Sequence, residues 1–491
     1  MSGFRLLLKY FLISIFLCSF VLFQPGCSDQ SEEDISVFNG QSRECLSCHE
    51  TEFDISHQFN CLDCHRSDDD NDDFPEEHKK VVAFPAHSDR AAEICGSCHK
   101  TETEMVFNND HYRLSGHIDS VRGAFGADIS ADQSPLTSFS SHSTPENPLQ
   151  LAEDLLARRC LRCHVYYSGD NFSSIAHGLG CAACHLSFQD GKLSSHKFNA
   201  KPDDSSCLSC HYGNHVGYDY YGRFEHDYNE EYRTPYLLKQ TQARPFGVEY
   251  RQLEADVHQQ AGMVCIDCHG RENIMASTDR PACEQCHQYN AHENSDSESL
   301  TIEREQVIFN SSATGKKIAV PQMKHAAHSR YDNRFSCQTC HAQWTYDDSP
   351  THLIRIDHDD FDDFYKLSLD GSSEVLKIIY SHISDDGDLL EPEMSDKFSG
   401  TTSIGIWFKG FGERRWEQVH LVENDEGKVT TARPILDLRL SWIDDEEVVH
   451  FDNIEPAPGT SRMRPYNPHT IGKAGLFYEN RIRGFLTQSD D

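Results

Sequence analysis

The sequence is short of apolar side chains, of basic side chains and of cysteines to spare for disulfides. Only 37% of its 491 residues are hydrophobic, against ~45–50% in an ordinary soluble chain. A length suited to about three domains therefore comes without the side chains to fill three cores, and other apolar material has to occupy the interior. Lys and Arg number 44 against 79 Asp and Glu, for a net charge of −35. That balance excludes nucleic-acid binding, which needs basic side chains to displace phosphate counterions. It favours basic partners or cationic acceptors at low salt, and more plainly it keeps the chain soluble. What the sequence has in quantity is cysteine, 20, and histidine, 29.

Arg5 and Lys9 precede an apolar run from Tyr10 to Phe23, followed by Pro25 and Gly26. Those 14 residues suit the ~7–15 of a signal-peptide core and fall short of the ~20 that span a bilayer. Residues 1–26 are therefore read as an export signal, with a membrane anchor as the alternative. Gly26-Cys27 has the form of a bacterial lipobox end, in which Cys27 is lipidated and tethers the chain to a membrane without spanning it. Gln24 departs from that pattern and leaves cleavage without lipid open. Both outcomes predict an exported protein, in the periplasm or at the outer membrane or cell surface.

In order, the remaining cysteines form nine Cys-x-x-Cys-His motifs. They are Cys45, Cys48 and His49; Cys61, Cys64 and His65; Cys95, Cys98 and His99; Cys160, Cys163 and His164; Cys181, Cys184 and His185; Cys207, Cys210 and His211; Cys265, Cys268 and His269; Cys283, Cys286 and His287; and Cys337, Cys340 and His341. Only Cys18, inside the signal, and Cys27 are left. This spacing is that of c-type haem attachment, where two thiols bond the two vinyl groups of one porphyrin and the following His binds the iron. Zinc ribbons also use Cys-x-x-Cys, but they give no reason for a His after every second cysteine and would leave one of nine knuckles without a mate. Disulfides are permitted outside the cytoplasm and do not call for that His either. On these motifs, residues 45–341 resemble the multihaem c-type cytochromes, particularly the lipoprotein and outer-surface kind of metal-respiring bacteria. The resemblance implies a haem-packed domain of short helices and irregular backbone, with porphyrin as the missing apolar mass.

The motifs fall into three loose triplets, 45–99, 160–211 and 265–341, each opening on a close pair. A second register is open, because His57, His177 and His258 stand similarly ahead of Cys61, Cys181 and Cys265. Twenty histidines lie outside the motifs, 16 of them between residues 57 and 358, enough for nine sixth ligands. Expected distal ligands are His57, His87, His177, His196, His258, His325 and His328. His111 and His117 have only their place in the long gap before Cys160 to recommend them. His382, His420, His450 and His469, far downstream of the last motif, are expected to be elsewhere. A helix is predicted over 149–164 from Leu149, Leu155 and Leu156. The acidic stretch Asp68 to Glu77 matches no calcium loop and reads as solvated.

After residue 350 cysteine disappears. Alternation at Ile404, Ile406 and Phe408 and again from Leu436 to Trp442, with strand-like runs Phe364 to Leu369, Val375 to Tyr380, Trp416 to Val422 and Glu447 to Phe451, predicts an all-β sandwich or barrel-like module over 351–491. No nucleophile, metal or phosphate motif occurs in it. The expected function is electron transfer between a redox donor and an acceptor protein, or an external metal or oxyanion. The alternative is a terminal haem reductase with one five-coordinate haem. All nine motifs end in His, unlike those haem reductases whose catalytic motif ends in Lys, so no catalytic residue is singled out.

Overall fold

The structure is a computed structural model. It describes residues 45–66, 78–129, 139–169, 175–189, 191–211, 255–275, 282–289, 299–348, 351–360, 368–369, 372–383, 389–409, 414–416, 419–474 and 478–486, and the strands 221–225 and 248–252. For those two strands, and for 346–348, 368–369, 383 and 414–416, it describes the backbone alone. The expected export signal, Cys27, the acidic stretch Asp68 to Glu77 and most of the expected strand Phe364 to Leu369 lie outside the described residues. Among the described residues no helix is long and apolar enough to cross a membrane. The chain divides into two compact units, residues 1–51 with 55–81 and residues 52–54 with 82–491.

A part built on short helices is followed by a β-rich part. Most motifs sit on a single helical turn, as at Cys61–His65, Cys265–Cys268, Cys283–His287 and Cys337–His341. Local chemistry starts such turns. Asn60 accepts from the Leu62 N–H at 3.1 Å while its own N–H donates to Asp63 at 3.0 Å, a reciprocal cap. The helix Pro148–Arg158 opens with Asn147 as cap, proline at its first position, and the Gln150 N–H donating to Asn147 Oδ1 at 3.0 Å. It ends before Cys160, which begins a 3₁₀ turn to Cys163. Its apolar stripe is Leu151, Ala152, Leu155 and Leu156, all at most 1% exposed. Leu149 is only partly buried. A three-stranded antiparallel sheet, Leu300–Glu303, Gln306–Asn310 and Lys317–Val320, adds regular structure where irregular backbone was expected.

The main sheet of the C-terminal part has the order Ser368–Leu369, Ile406–Lys409, Thr351–Ile356, Leu438–Ile443, Val449–Ile454. Its neighbours are antiparallel except Thr351–Ile356 with Leu438–Ile443, which run parallel. Three expectations need correction here. Val375 to Tyr380 is not a strand but the middle of a helix, Ser373–Ile383, which buries Val375, Ile378 and Ile379 at helical spacing. With the helix Tyr478–Leu486 it makes the part β-rich rather than all-β. Trp416 to Val422 is not one strand, since separate strands run over Arg414–Trp416 and His420–Glu423.

Ile406, Trp407, Phe408 and Lys409 are all buried, so the sheet is covered on both faces where alternation alone predicted one. One apolar cluster joins these strands to the helices Ser115–Ala124, Pro148–Arg158 and Ser373–Ile383. The helix that leads into Cys160 is thereby fixed to the β-rich part. Asp154, fully buried, accepts from Trp407 Nε1 at 2.9 Å and from the His142 N–H at 2.9 Å, and pairs with Arg158 at 2.9 Å and Arg355 at 3.2 Å. Arg355 also pairs with Asp357 at 2.8 Å, and Trp442 Nε1 donates to Asp357 at 2.8 Å. Arg158 donates to the carbonyls of Ser403, Ile404 and Gly405 at 2.8–3.1 Å.

Candidate functional site

On a helical turn, residues at i, i+3 and i+4 share a face, and these are the two cysteines and the histidine of each motif. The closing bond is present in the His49 N–H to Cys45 O pair at 2.9 Å, and likewise in His99 to Cys95 at 2.7 Å, His211 to Cys207 at 2.8 Å and His269 to Cys265 at 2.9 Å. Each turn thus offers two thiols and one imidazole to the same side.

Five motif histidines face a second histidine. The ring centres are 6.1 Å apart for His49 and His78, 6.2 Å for His211 and His111, 6.2 Å for His269 and His469, 6.0 Å for His287 and His258, and 6.1 Å for His341 and His328. That separation is longer than close ring stacking. A metal–imidazole bond is ~2.0–2.1 Å, so two rings on opposite sides of one metal have centres about 6.3 Å apart, allowing roughly 1.1 Å from each nitrogen to its ring centre.

The second ring nitrogen is held in several of these rings. His287 Nδ1 meets the Pro321 carbonyl at 2.8 Å, and His341 Nδ1 meets the Gly472 carbonyl at 2.9 Å. His185 Nδ1 meets the Asn199 carbonyl and His177 Nδ1 the Gly178 carbonyl, both at 2.8 Å. A carbonyl at Nδ1 fixes the tautomer in which Nδ1 donates and Nε2 keeps its lone pair for a metal. His258 is anchored instead by Asp256, whose hydrogen bond raises the imidazole pKa. Burial lowers that of His269, and the neighbouring His469 and His111 lower it further.

Of the expected distal ligands, His258 and His328 stand opposite motif histidines. The others are placed differently. His57 packs on Phe59 and His196 on Phe53. His87 and His325 cap the helices Ser88–Ile94 and Ala326–Tyr331, accepting at Nδ1 from the N–H groups of Asp89 and Ala327 at 3.2 Å. His177 is buried, with Nε2 3.6 Å from Cys210 Sγ. It lines a cavity of about 610 Å³ together with Tyr167, Gly169, Phe188, Glu374 and Lys377, within the size range of cofactor pockets. His78, His111 and His469 were not among the expected ligands. His469, expected to be elsewhere, stands against His269 although it lies 200 positions downstream, beside the bridge of Ala342 with Ile471. His450 stays apart, bonded to Asp444 and stacked on Trp442 at 4.4 Å.

His164 differs from the other motif histidines. It is 1% exposed, its Nε2 lies 2.6 Å from the Tyr112 carbonyl, and its ring stacks on Tyr166 at 4.7 Å. Burial brings its pKa down to about 4, against the opposing pull of that carbonyl. Burial likewise pushes the Cys184 thiol up to about 12, while the hydrogen bond from Cys95 brings Cys181 down to about 7.

Among the described residues no three His, Cys, Asp or Glu side chains converge as a tetrahedral metal cage requires. Five histidine pairs are found, each including the His of a Cys-x-x-Cys-His turn, and these imidazoles and thiols could hold an iron in a macrocycle bonded to the cysteines. No protein-family profile, curated protein or solved structure matches the chain.

Proposed function

We propose that this is a multihaem c-type cytochrome, in which nine covalently bound haems carry electrons from a redox donor to an acceptor protein or an external metal or oxyanion, outside the cytoplasm and tethered by lipid at Cys27. The observation that carries the reading is the pairing of five Cys-x-x-Cys-His histidines with a second histidine at 6.0–6.2 Å. A bis-histidine haem exchanges one electron and has no open coordination position. The chain's own part is to present both thiols and the proximal imidazole on one face, and to bring the distal imidazole from another segment. A backbone carbonyl at Nδ1 of His185, His287 and His341 would leave Nε2 free to hold the iron. Porphyrin in the interior accounts for the 37% hydrophobic content.

The decisive experiment is intact-mass analysis of the exported protein under denaturing, non-reducing conditions, with a pyridine haemochrome assay and iron and zinc determination. Nine haem masses and nine irons per chain support the reading. A mass matching the bare polypeptide, with disulfides or zinc in place of haem, overturns it.

A terminal reductase is the second reading, and the surroundings of His164 are what favour it. Among the described residues its ring stacks on Tyr166 and no histidine ring faces it, as a haem with a vacant sixth position would require. Carbon monoxide binding to the reduced wild-type protein supports that reading. A wholly low-spin ferric EPR spectrum without carbon monoxide binding removes it.

A further inference from the structure

Resting on the haem reading above, the contacts between motifs give an order that the sequence does not. Seven motifs, the third to the ninth, lie in the larger unit. Cys95 of the third hydrogen-bonds Cys181 of the fifth, whose N–H donates to Ala86 O, just ahead of the third motif's helix, at 3.2 Å. The short helices Ala182–His185 and Asp204–Leu208 pack together, and Cys184 of the fifth motif comes beside Cys207 of the sixth. Asp204 accepts from the Cys265 N–H at 2.9 Å, and the Cys207 and Cys265 thiols share a hydrogen bond, which joins sixth to seventh.

His258, ahead of the seventh motif, faces His287 of the eighth. Met263 and Cys286 pack on one apolar cluster, and Cys268 lies within electrostatic reach of Cys283 and Cys286. Cys283 and Cys337 then share a hydrogen bond, and Cys337 donates to Glu284 Oε1 at 3.3 Å, joining eighth to ninth.

The fourth motif stands outside this series. The chain leaving it bonds the chain entering the fifth, Gly180 N–H to Val165 O at 2.7 Å, and Tyr112, whose carbonyl stands at His164 Nε2, reaches Cys181 Sγ at 3.7 Å, but the Cys163 sulfur faces the sixth. Cys163 hydrogen-bonds Cys210 of the sixth motif, and Cys210 Sγ is 3.5 Å from Cys163 O.

A thioether ties a porphyrin edge to its sulfur, so sulfurs in contact bring porphyrin edges together. From these contacts we infer that the haems of the larger unit stand in the file third, fifth, sixth, seventh, eighth, ninth, with the fourth set beside the sixth as a branch. Along the file from the sixth, first cysteines share hydrogen bonds at the sixth–seventh step (207 with 265) and the eighth–ninth step (283 with 337), and between them Cys268 lies within electrostatic reach of Cys286 and Cys283.

The test is the location of the irons in crystals of the haem-loaded full chain by anomalous scattering at the iron edge. The expected result is a sixth iron whose near neighbours are the fifth, seventh and fourth, and a third iron nearer the fifth than the fourth. A fourth iron lying between the third and fifth, or nearer to either than to the sixth, overturns the order. The absence of iron at the motifs would instead sink the haem reading, a separate failure that the mass and iron determinations register independently.

Discussion

Substitution of Asp154 by Asn tests whether the buried charge network fixes the helix leading into Cys160. The carboxylate and both guanidinium partners are fully buried, at 0% side-chain exposure for Asp154, Arg158 and Arg355. In the wild type two carboxylates, Asp154 and Asp357, balance two guanidinium groups. Asp154→Asn leaves two buried cations facing one carboxylate, and the amide cannot accept from all of Arg158, Arg355, Trp407 Nε1 and the His142 N–H. Breaking a buried pair from one side costs ~3–5 kcal/mol, a large share of the ~5–15 kcal/mol that holds a folded domain. Urea unfolding of the haem-loaded protein, followed by far-UV circular dichroism, should register that loss as a lower midpoint with an unchanged slope. The control is Glu104→Gln, which removes an exposed pair with Lys100, 3.8 Å long and 81% and 68% exposed, and should cost less than ~0.5 kcal/mol. The double variant Asp154→Leu with Arg158→Met should recover part of the loss, because no lone charge remains. A loss below ~1 kcal/mol for Asp154→Asn, where ~3–5 is expected, would refute the claim that this network is desolvated and structural.

Three further outcomes follow from particular side chains. His469→Ala should keep nine haems by mass yet convert one to high spin, so that the reduced variant binds one more carbon monoxide per chain than the wild type; His450→Ala should change neither, and an unchanged spin state in His469→Ala would remove His469 as a ligand. Asp396 is 3% exposed. Burial works to raise its pKa, but the N–H donors of Ser399, Ser141 and Phe398 outweigh it and hold the carboxyl below its ordinary 3.8. Its contribution is therefore present above that value and lost as pH falls through the lower folded one. The wild type should lose up to ~1.5–3 kcal/mol more than Asp396→Asn in that acid range, read by unfolding midpoints at a series of pH values. Gly180 has φ +55°, and a Cβ there would collide with the Ala86 carbonyl, so Gly180→Ala should cost at least ~1–3 kcal/mol. Gly116→Ala, in open space on the helix Ser115–Ala124, should instead stabilise by ~0.5–1 kcal/mol, and equal midpoints for the two variants would contradict the packing at Gly180.

The nine Cys-x-x-Cys-His turns could be read in the sequence because their geometry is local: two thiols and an imidazole on one turn need no help from the rest of the chain. The facing histidines are a matter of tertiary structure, and among the expected ligands the ring contacts described place His258 and His328 opposite a motif histidine. His78, His111 and His469 are delivered by segments whose positions depend on the whole fold. The helix Ser373–Ile383 was misread because Val375, Ile378 and Ile379 sit in a short β-branched run, where six residues are too few to separate a period of two from one of 3.6. A window from Ser372 to Ile383 carries the helical spacing. The all-round burial of Ile406–Lys409 was hidden for another reason, since Lys409 and Arg355 are polar residues buried by partners distant in sequence.

The reach from His269 to His469 also sets a clock. A polypeptide made from its N-terminus presents Cys265, Cys268 and His269 about 200 residues before His469 exists, and at ~5–20 residues per second that interval is roughly 10–40 s. If the thiols take up haem as proposed, the seventh motif would stay an open, accessible turn until the segment carrying His469 follows it. The contact that closes over it is of very high sequence separation, and such contacts form late. Under the proposed haem reading this delay would be useful to the chain: the segment carrying His469, which would supply the second imidazole, is also the one made last, so the two thiols would stay accessible until it arrives.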